Sequence, residues 1–207
     1  MNRYIYGASG HGKVVLSILL DSGKEITAFI DKNPALKEVK GYPVFQEMPL
    51  EVAGSECIIG IGDNGIRYRL ANALKTKFLS AVHPTSVVYK GFEANQGTVL
   101  MQNTCVQIDT IIGKHVIVNT SASVDHDCQI SDFVHVAPNA TICGGVTIGE
   151  GTLIGAGSTI LPNITVGRWA IVGAGAVVCE DIPDFTCVKG VPAKSISILD
   201  EHKRKYS

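Results

Sequence analysis

His126 stands between two carboxylates, Asp125 and Asp127. A carboxylate beside an imidazole can orient the ring and raise its basicity, and a neutral histidine, with an ordinary pKa of about 6.5, is a competent general base near neutral pH. A second group of residues is suited to binding. The run Gly7-Ala8-Ser9-Gly10-His11-Gly12-Lys13 follows the β-type residues Tyr4-Ile5-Tyr6 and precedes Val14, Val15, Ile18 and Leu19 at helical spacing. Strand, glycine turn and helix together present backbone amides to a phosphate. The spacing G-x-x-x-x-G-K is that of a phosphate loop, but Val14 stands where Ser or Thr would hold Mg²⁺, and the dinucleotide order G-x-G-x-x-G is not met. The expectation is a site for a nucleotide-linked substrate without hydrolysis, with Asp31 accepting hydrogen bonds from a ribose or base.

The elements that must position these residues are of two kinds. Ile26 to Ile30 reads as a second strand ending at Asp31, and Cys57 to Ile61 as a third, opening into Gly62-Asp63-Asn64-Gly65 ahead of a polar helix from Ile66 to Lys75. That alternation predicts a small parallel Rossmann-like α/β unit over residues 1–80. From Leu100 to Val178 every sixth residue is aliphatic, a run of Leu100, Val106, Ile112, Val118 and their successors that fits neither a helix nor a plain strand. It predicts an all-β solenoid, a parallel β-helix of hexapeptide repeats over residues 81–207. Small or β-branched residues two positions earlier, Ala122, Cys128, Val134 and Ala140 among them, should fill its narrow core. The position after each aliphatic is often Gly (Gly113, Gly149, Gly155, Gly167, Gly173), read as meeting the backbone angles of tight corners.

If three hexads make one coil, residues 18 apart stack. His126 then lies at a corner with Ile108 below and Gly144 above, and His135 in another column between Ile117 and Leu153. Asn119, Ala137, Gly155 and Gly173 form a strip nearly free of side chains, along which a slender ligand arm could lie.

With 18 Lys and Arg against 19 Asp and Glu, the net charge of −1 disfavours a general electrostatic hold on nucleic acid or anionic membrane. No stretch of 18 apolar residues is present to span a bilayer. The N-terminus lacks the pattern of a signal peptide, and six cysteines without a CxxC pair suit a reducing cytoplasm.

The hexads Ile148-Gly149, Ile154-Gly155 and Val172-Gly173 resemble those of the left-handed β-helix acyltransferases, and Lys189-Gly190-Val191-Pro192-Ala193-Lys194 resembles the closing G-x-P-A-[KR] segment of members that use acetyl-CoA. With Ile5-Tyr6-Gly7-Ala8-Ser9-Gly10-His11-Gly12, Asn119-Thr120-Ser121 and Asp125-His126-Asp127-Cys128, nearly the whole chain resembles the bacterial sugar acetyltransferases of the PglD/NeuD type. The resemblance implies transfer of acetyl from acetyl-CoA to the 4-amino group of a UDP-4-amino-6-deoxy sugar for surface glycan synthesis. It makes His126 the general base and Asp127 its orienting acid, where the N-acetyltransferase branch has Glu. It sets Ser9, Gly10, His11, Asp31, Lys32, Gly62 and Asn119 against the sugar nucleotide. It sets His135, Gly144, Gly155, Ala156, Gly173 and Ala174 against acetyl-CoA, and Lys194 near the CoA phosphates. A homotrimer with sites between subunits is implied, and no metal. Two alternatives share the architecture: O-acetylation of a sialic acid, and a γ-type carbonic anhydrase holding Zn²⁺ through His115, His126 and His135. A non-catalytic scaffold is a third.

Overall fold

The computed structural model describes residues 2–49, 54–198 and 200–206. Its N-terminal part runs β1 (Arg3–Tyr6), α1 (Gly10–Asp21), β2 (Ala28–Ile30), β3 (Glu38–Val39), β4 (Tyr42–Phe45), β5 (Glu56–Ile59), α2 (Asn64–Ala73) and β6 (Lys77–Phe78). These strands form one sheet of order β3-β4-β2-β1-β5-β6, parallel throughout except for the β3–β4 hairpin. The sequence pattern did not mark that hairpin. Its turn, Lys40-Gly41, takes positive φ at both residues, and a lysine does not advertise such a turn. Alternation along β1, β2 and β5 sends Ile5, Phe29 and Ile58 toward Val15, Ile18 and Leu19 of α1. Tyr4, Ala28, Cys57 and Ile59 face Leu70 and Leu74 on the opposite side.

From Ala81 to Lys189 the chain is a parallel β-solenoid, so the expected β-helix ends short of residue 207. Two-residue strands stack into three sheets, and partners lie 18 residues apart, as in Ile117↔His135 and Val118↔Val136 on the first face. Ser123↔Thr141 and Val124↔Ile142 stack on the second face, and Gln129↔Thr147 and Ile130↔Ile148 on the third. All fourteen hexad aliphatics are buried in one continuous core, together with Ala122, Cys128, Val134 and Ala140. Pairs such as Ile142 and Ile148, each 0% exposed, explain why the period holds: every strand contributes one side chain to the same axial stack.

The corners correct one sequence expectation. Left-handed backbone falls at every sixth residue from Gly97 to Gly175, three positions after the aliphatic and not one. Asn103, Asp109, Asn139 and Asn163 suit it, but His115, Phe133 and Trp169 adopt it too, with φ of 54, 59 and 52°. The glycines directly after the aliphatics serve a different need. A Cβ on Gly149 would sit 2.4 Å from the Arg168 nitrogen, and one on Gly155 2.5 Å from the Val172 oxygen, so the next coil's backbone occupies that space.

The α/β part packs on the first face. Val15, Leu16 and Leu19 of α1 share a core with Ala81, Val99 and Ile117, whose side chains point outward from the solenoid. A final strand pair, Thr186–Lys189 with Lys194–Ile198, is antiparallel, and α3 (Asp200–Tyr206) follows it. Its Tyr206 ring stacks on Trp169 with centroids 3.6 Å apart.

Candidate active site

His126 occupies the corner between the second and third faces, with more than half of its side chain exposed. Its Nδ1 lies 2.6 Å from Asp127 Oδ2. An ionised carboxylate only accepts, so Nδ1 carries the proton and Nε2 keeps its lone pair. Asp125 supports the loop differently, its Oδ1 accepting from the His126 backbone N–H at 2.9 Å. The hydrogen bond to Asp127, and then the charge of Asp125, raise the His126 pKa above its ordinary 6.5. The ring lies over Gly144, one coil above: a Cβ there would meet His126 Cε1 at 2.7 Å and Nε2 at 2.8 Å. Among the described residues the Gly144 N–H meets no acceptor, while its neighbour Gly145 N–H donates to the His126 carbonyl. Among the described residues, then, His126 Nε2 and the Gly144 N–H on the adjacent coil are both unengaged, the two kinds of group an acyl transfer uses for its proton and its oxyanion.

The loop from Gly7 to Gly12 lies at the carboxyl end of β1, where open α/β sheets bind ligands. Its tight course is a matter of packing. A Cβ on Gly12 would fall 2.0 Å from the Gly7 carbonyl oxygen, and one on Gly60 2.8 Å from Gly12 Cα. Gly10 differs, with no atom of another described residue within 4 Å of its Cβ position. Ser9 is exposed and caps α1 without a side-chain hydrogen bond, which leaves its hydroxyl free for a ligand. Asp31 is held at the end of β2, where its carboxylate accepts from the Ala8 N–H at 2.9 Å and the Asn33 N–H at 2.9 Å. Lys32 beside it is exposed. His11 is half-buried, and its Nε2 is a buried atom without a partner among the described residues. Burial, followed by the charge of Arg67, pushes its pKa down to about 4, so the ring is neutral.

His135 projects from the first face toward Gly62. Its Nδ1 donates to the Gly62 carbonyl at 3.1 Å, and its Nε2 accepts from Asn119 Nδ2 at 3.0 Å. Asn119 Oδ1 in turn accepts from the Thr120 N–H at 2.8 Å. Both ring nitrogens are thus engaged, and burial with Arg67 holds the pKa near 4. Asn119, Ala137, Gly155 and Gly173 stack in register at the corner between the first and second faces, continuing the ladder of Val118, Val136, Ile154 and Val172. Ala156 and Ala174 are exposed beside them. Lys194 lies further along on the last strand pair, 3.9 Å from Glu180.

Arg67 went unnoticed in the sequence, where it reads as one more charge on a polar helix. It is 1% exposed. Its Nε donates to the His115 carbonyl at 2.8 Å, one terminal nitrogen to the Ile61 and Gly62 carbonyls at 3.2 Å, and the other to Asn64 Oδ1 at 2.9 Å and the Phe133 carbonyl at 2.8 Å. Asn64 extends the clasp, its Nδ2 donating to the Gly151 and Thr152 carbonyls. Nothing local in the sequence signals this, because the acceptors are backbone carbonyls. Beside the clasp a cleft of about 540 Å³ opens between Gly62, Asn64, His135, Leu153, Trp169 and Tyr206.

The three histidines weighed as zinc ligands do not converge. His115 is buried and stacked on Phe133 at 5.1 Å, His126 is exposed at its corner, and His135 faces Gly62. Among the described residues no three His, Cys, Asp or Glu side chains gather around a metal-sized space, and no helix is long and apolar enough to cross a membrane.

Residues 2–74 match the family model of the PglD N-terminal domain, and residues 145–180 match that of the bacterial transferase hexapeptide (six repeats). A GDP-perosamine N-acetyltransferase of Escherichia coli O157:H7 is 30% identical over 169 residues, 72% of this chain and 73% of that protein. Perosamine N-acetyltransferase from Caulobacter crescentus, solved as a histidine-to-asparagine variant with CoA and GDP-perosamine, superposes with a TM-score of 0.89 at 33% identity, covering 95% of this chain and 97% of its own. The acetyltransferase domain of PglB from Neisseria gonorrhoeae FA1090 superposes with a TM-score of 0.88 at 36% identity, covering 94% and 99%. The α/β unit, the hexad solenoid and these likenesses agree: the chain belongs to the hexapeptide-repeat, acetyl-CoA-dependent sugar N-acetyltransferases that carry a PglD-type N-terminal domain.

Proposed function

We propose that this enzyme acetylates the 4-amino group of a nucleotide-linked 4-amino-4,6-dideoxyhexose, with His126 as the general base. The observation that carries this reading is the His126 ring itself, its Nδ1 tied to Asp127 at 2.6 Å and its Nε2 lying over Gly144 of the next coil. The amine attacks the thioester carbonyl of acetyl-CoA while Nε2 takes the N–H proton, and the Gly144 N–H stabilises the developing oxyanion. Collapse expels the CoA thiolate, which recovers the proton from the imidazolium. Asp127 keeps the ring in the correct tautomer throughout. No covalent acyl-enzyme is needed.

The acceptor binds over Ser9, Gly10 and His11, with Asp31, Lys32 and Gly62 toward the nucleotide. The pantetheine arm runs along the strip of Gly155, Ala156, Gly173 and Ala174 toward Lys194. A UDP-linked sugar of the 4-amino-N-acetylglucosamine type is the first acceptor this reading predicts. The relatives that act on GDP-perosamine favour a second, GDP-linked one of the same class.

The reading also assembles each site from two copies in a trimer. His126 lies at the corner opposite the first face, and the first face carries the chain's own α/β part. Ile108 and Ile111, 58% and 64% exposed beside that corner, are apolar surface that a neighbouring copy would cover.

Free thiol release from acetyl-CoA, measured against UDP-linked and GDP-linked 4-amino sugars and sialic acid, tests the acceptor class. Turnover is expected with one or both nucleotide-linked amines and not with sialic acid. His126→Ala is expected to lower kcat by ~10²–10⁴ with little change in the acetyl-CoA KM. Turnover of sialic acid alone would overturn the acceptor, and near-full activity of His126→Ala would overturn the base.

A further inference from the structure

We propose that Arg67, seconded by Asn64, is a positioning residue: it clasps the acceptor-binding loops to the solenoid and so sets the acceptor amine relative to the acetyl donor. The inference rests on the acceptor reading above, since it concerns the loops to which that reading assigns the sugar nucleotide.

The clasp engages a regular feature of the solenoid. The corner between the third and first faces carries left-handed residues at 115, 133 and 151, stacked one coil apart. Arg67 takes the carbonyls of the first two, and Asn64 takes those of Gly151 and Thr152. One turn of α2, opened by the Asp63 N-cap whose Oδ1 accepts from the Ile66 N–H at 2.7 Å, therefore grips three successive coils. On its other side the same guanidinium takes the Ile61 and Gly62 carbonyls. His135 shares the Gly62 carbonyl.

From there the contact is continuous to the acceptor loop. Gly60 packs against Gly12 with no room for a Cβ, and a Cβ on Gly7 would meet Ile61 Cγ1 at 2.7 Å. The segment Gly60 to Gly62 is thus wedged between the clasp and the turn that presents Ser9 to His11. A buried cation among carbonyls, with no carboxylate bonded to it among the described residues, is a costly way to hold two units together. Apolar contacts between α1 and the first face already do so. What Arg67 adds is direction: a planar fork of five donors fixes its acceptors in angle as well as distance.

The test uses the full-length protein with Arg67→Lys, which keeps the charge and loses the fork, and Asn64→Ala, which removes the grip on the third coil. The expected result for Arg67→Lys is a folded protein whose nucleotide-sugar KM rises on the order of 10- to 100-fold, with the acetyl-CoA KM within about twofold. Asn64→Ala should show the same split in smaller measure. Amide hydrogen exchange without any ligand gives the independent readout. Residues 8–12 and 60–63 should lose protection in both variants while the solenoid strands keep theirs. Unchanged exchange in those loops, or equal losses for both substrates, would overturn the proposal. Should Arg67→Lys fail to fold, Asn64→Ala decides on the same two measurements. If the wild-type protein turns over no nucleotide sugar, the acceptor reading has failed, and the exchange experiment still judges the clasp.

Discussion

At His126 the deciding interaction is a single hydrogen bond. Because Asp127 and Asp125 favour the charged imidazolium, the pKa stands above 6.5, and a base that works in its neutral form loses activity as pH falls through that value. The rate should therefore rise with pH through one group above 6.5. Asp127→Asn removes the carboxylate that supplies the largest raising cause and also its charge, so the inflection moves to lower pH, and the plateau kcat falls roughly tenfold, a part of what a general base supplies. Rate profiles of the two proteins between pH 5 and 9 decide the matter. An inflection that stays in place would mean that Asp127 does not act through His126. The triplet Asp125-His126-Asp127 was legible in the sequence as a candidate. Its division of labour was not: Asp125 bonds a backbone amide and Asp127 the ring, and adjacent residues at a corner point in directions that only the backbone decides.

The hexad solenoid was open to reading because each strand buries one side chain at a fixed interval, and a period of six survives in sequence even where the corner residues vary. The reason for its glycines was not. Gly149 and Gly157 look alike on paper, yet a Cβ on Gly149 collides with the backbone of the next coil, whereas Gly157, at φ 65°, has open space around its Cβ position. Gly157→Ala should cost about 1 kcal/mol, the strain of a left-handed residue with a side chain. Gly149→Ala should cost about 3 kcal/mol, at the upper end for overpacking, because the obstacle is backbone and cannot rotate away. Denaturant unfolding of the two variants checks the order, and equal costs would mean that the coils separate more easily than their contacts imply. Arg67 marks the other limit of legibility. Its burial depends on carbonyls 48 and 66 residues away, and no local pattern of charge or hydrophobicity encodes that.

For the molecule as a whole, the arrangement of faces poses a question of completeness. The α/β part lies on the first face, the side-chain-poor strip follows the corner between the first and second, and His126 projects from the corner between the second and third. In a three-sided solenoid the last corner is opposite the first face, so His126 of one chain points away from that chain's own Ser9–His11 turn. Two inactive proteins then become informative. His126→Ala removes the proposed base and leaves the Ser9–His11 turn intact. Gly10→Trp fills the space around Gly10, which on the proposed reading blocks the acceptor and leaves His126 untouched. If each site takes His126 from one copy and the loop from the next, random exchange of subunits between the two creates sites with both parts intact in about a quarter of cases, and about a quarter of wild-type activity should return. Were both parts supplied by one chain, every mixed assembly would remain as inactive as its components, so the thiol-release rate of the exchanged mixture distinguishes the two arrangements directly.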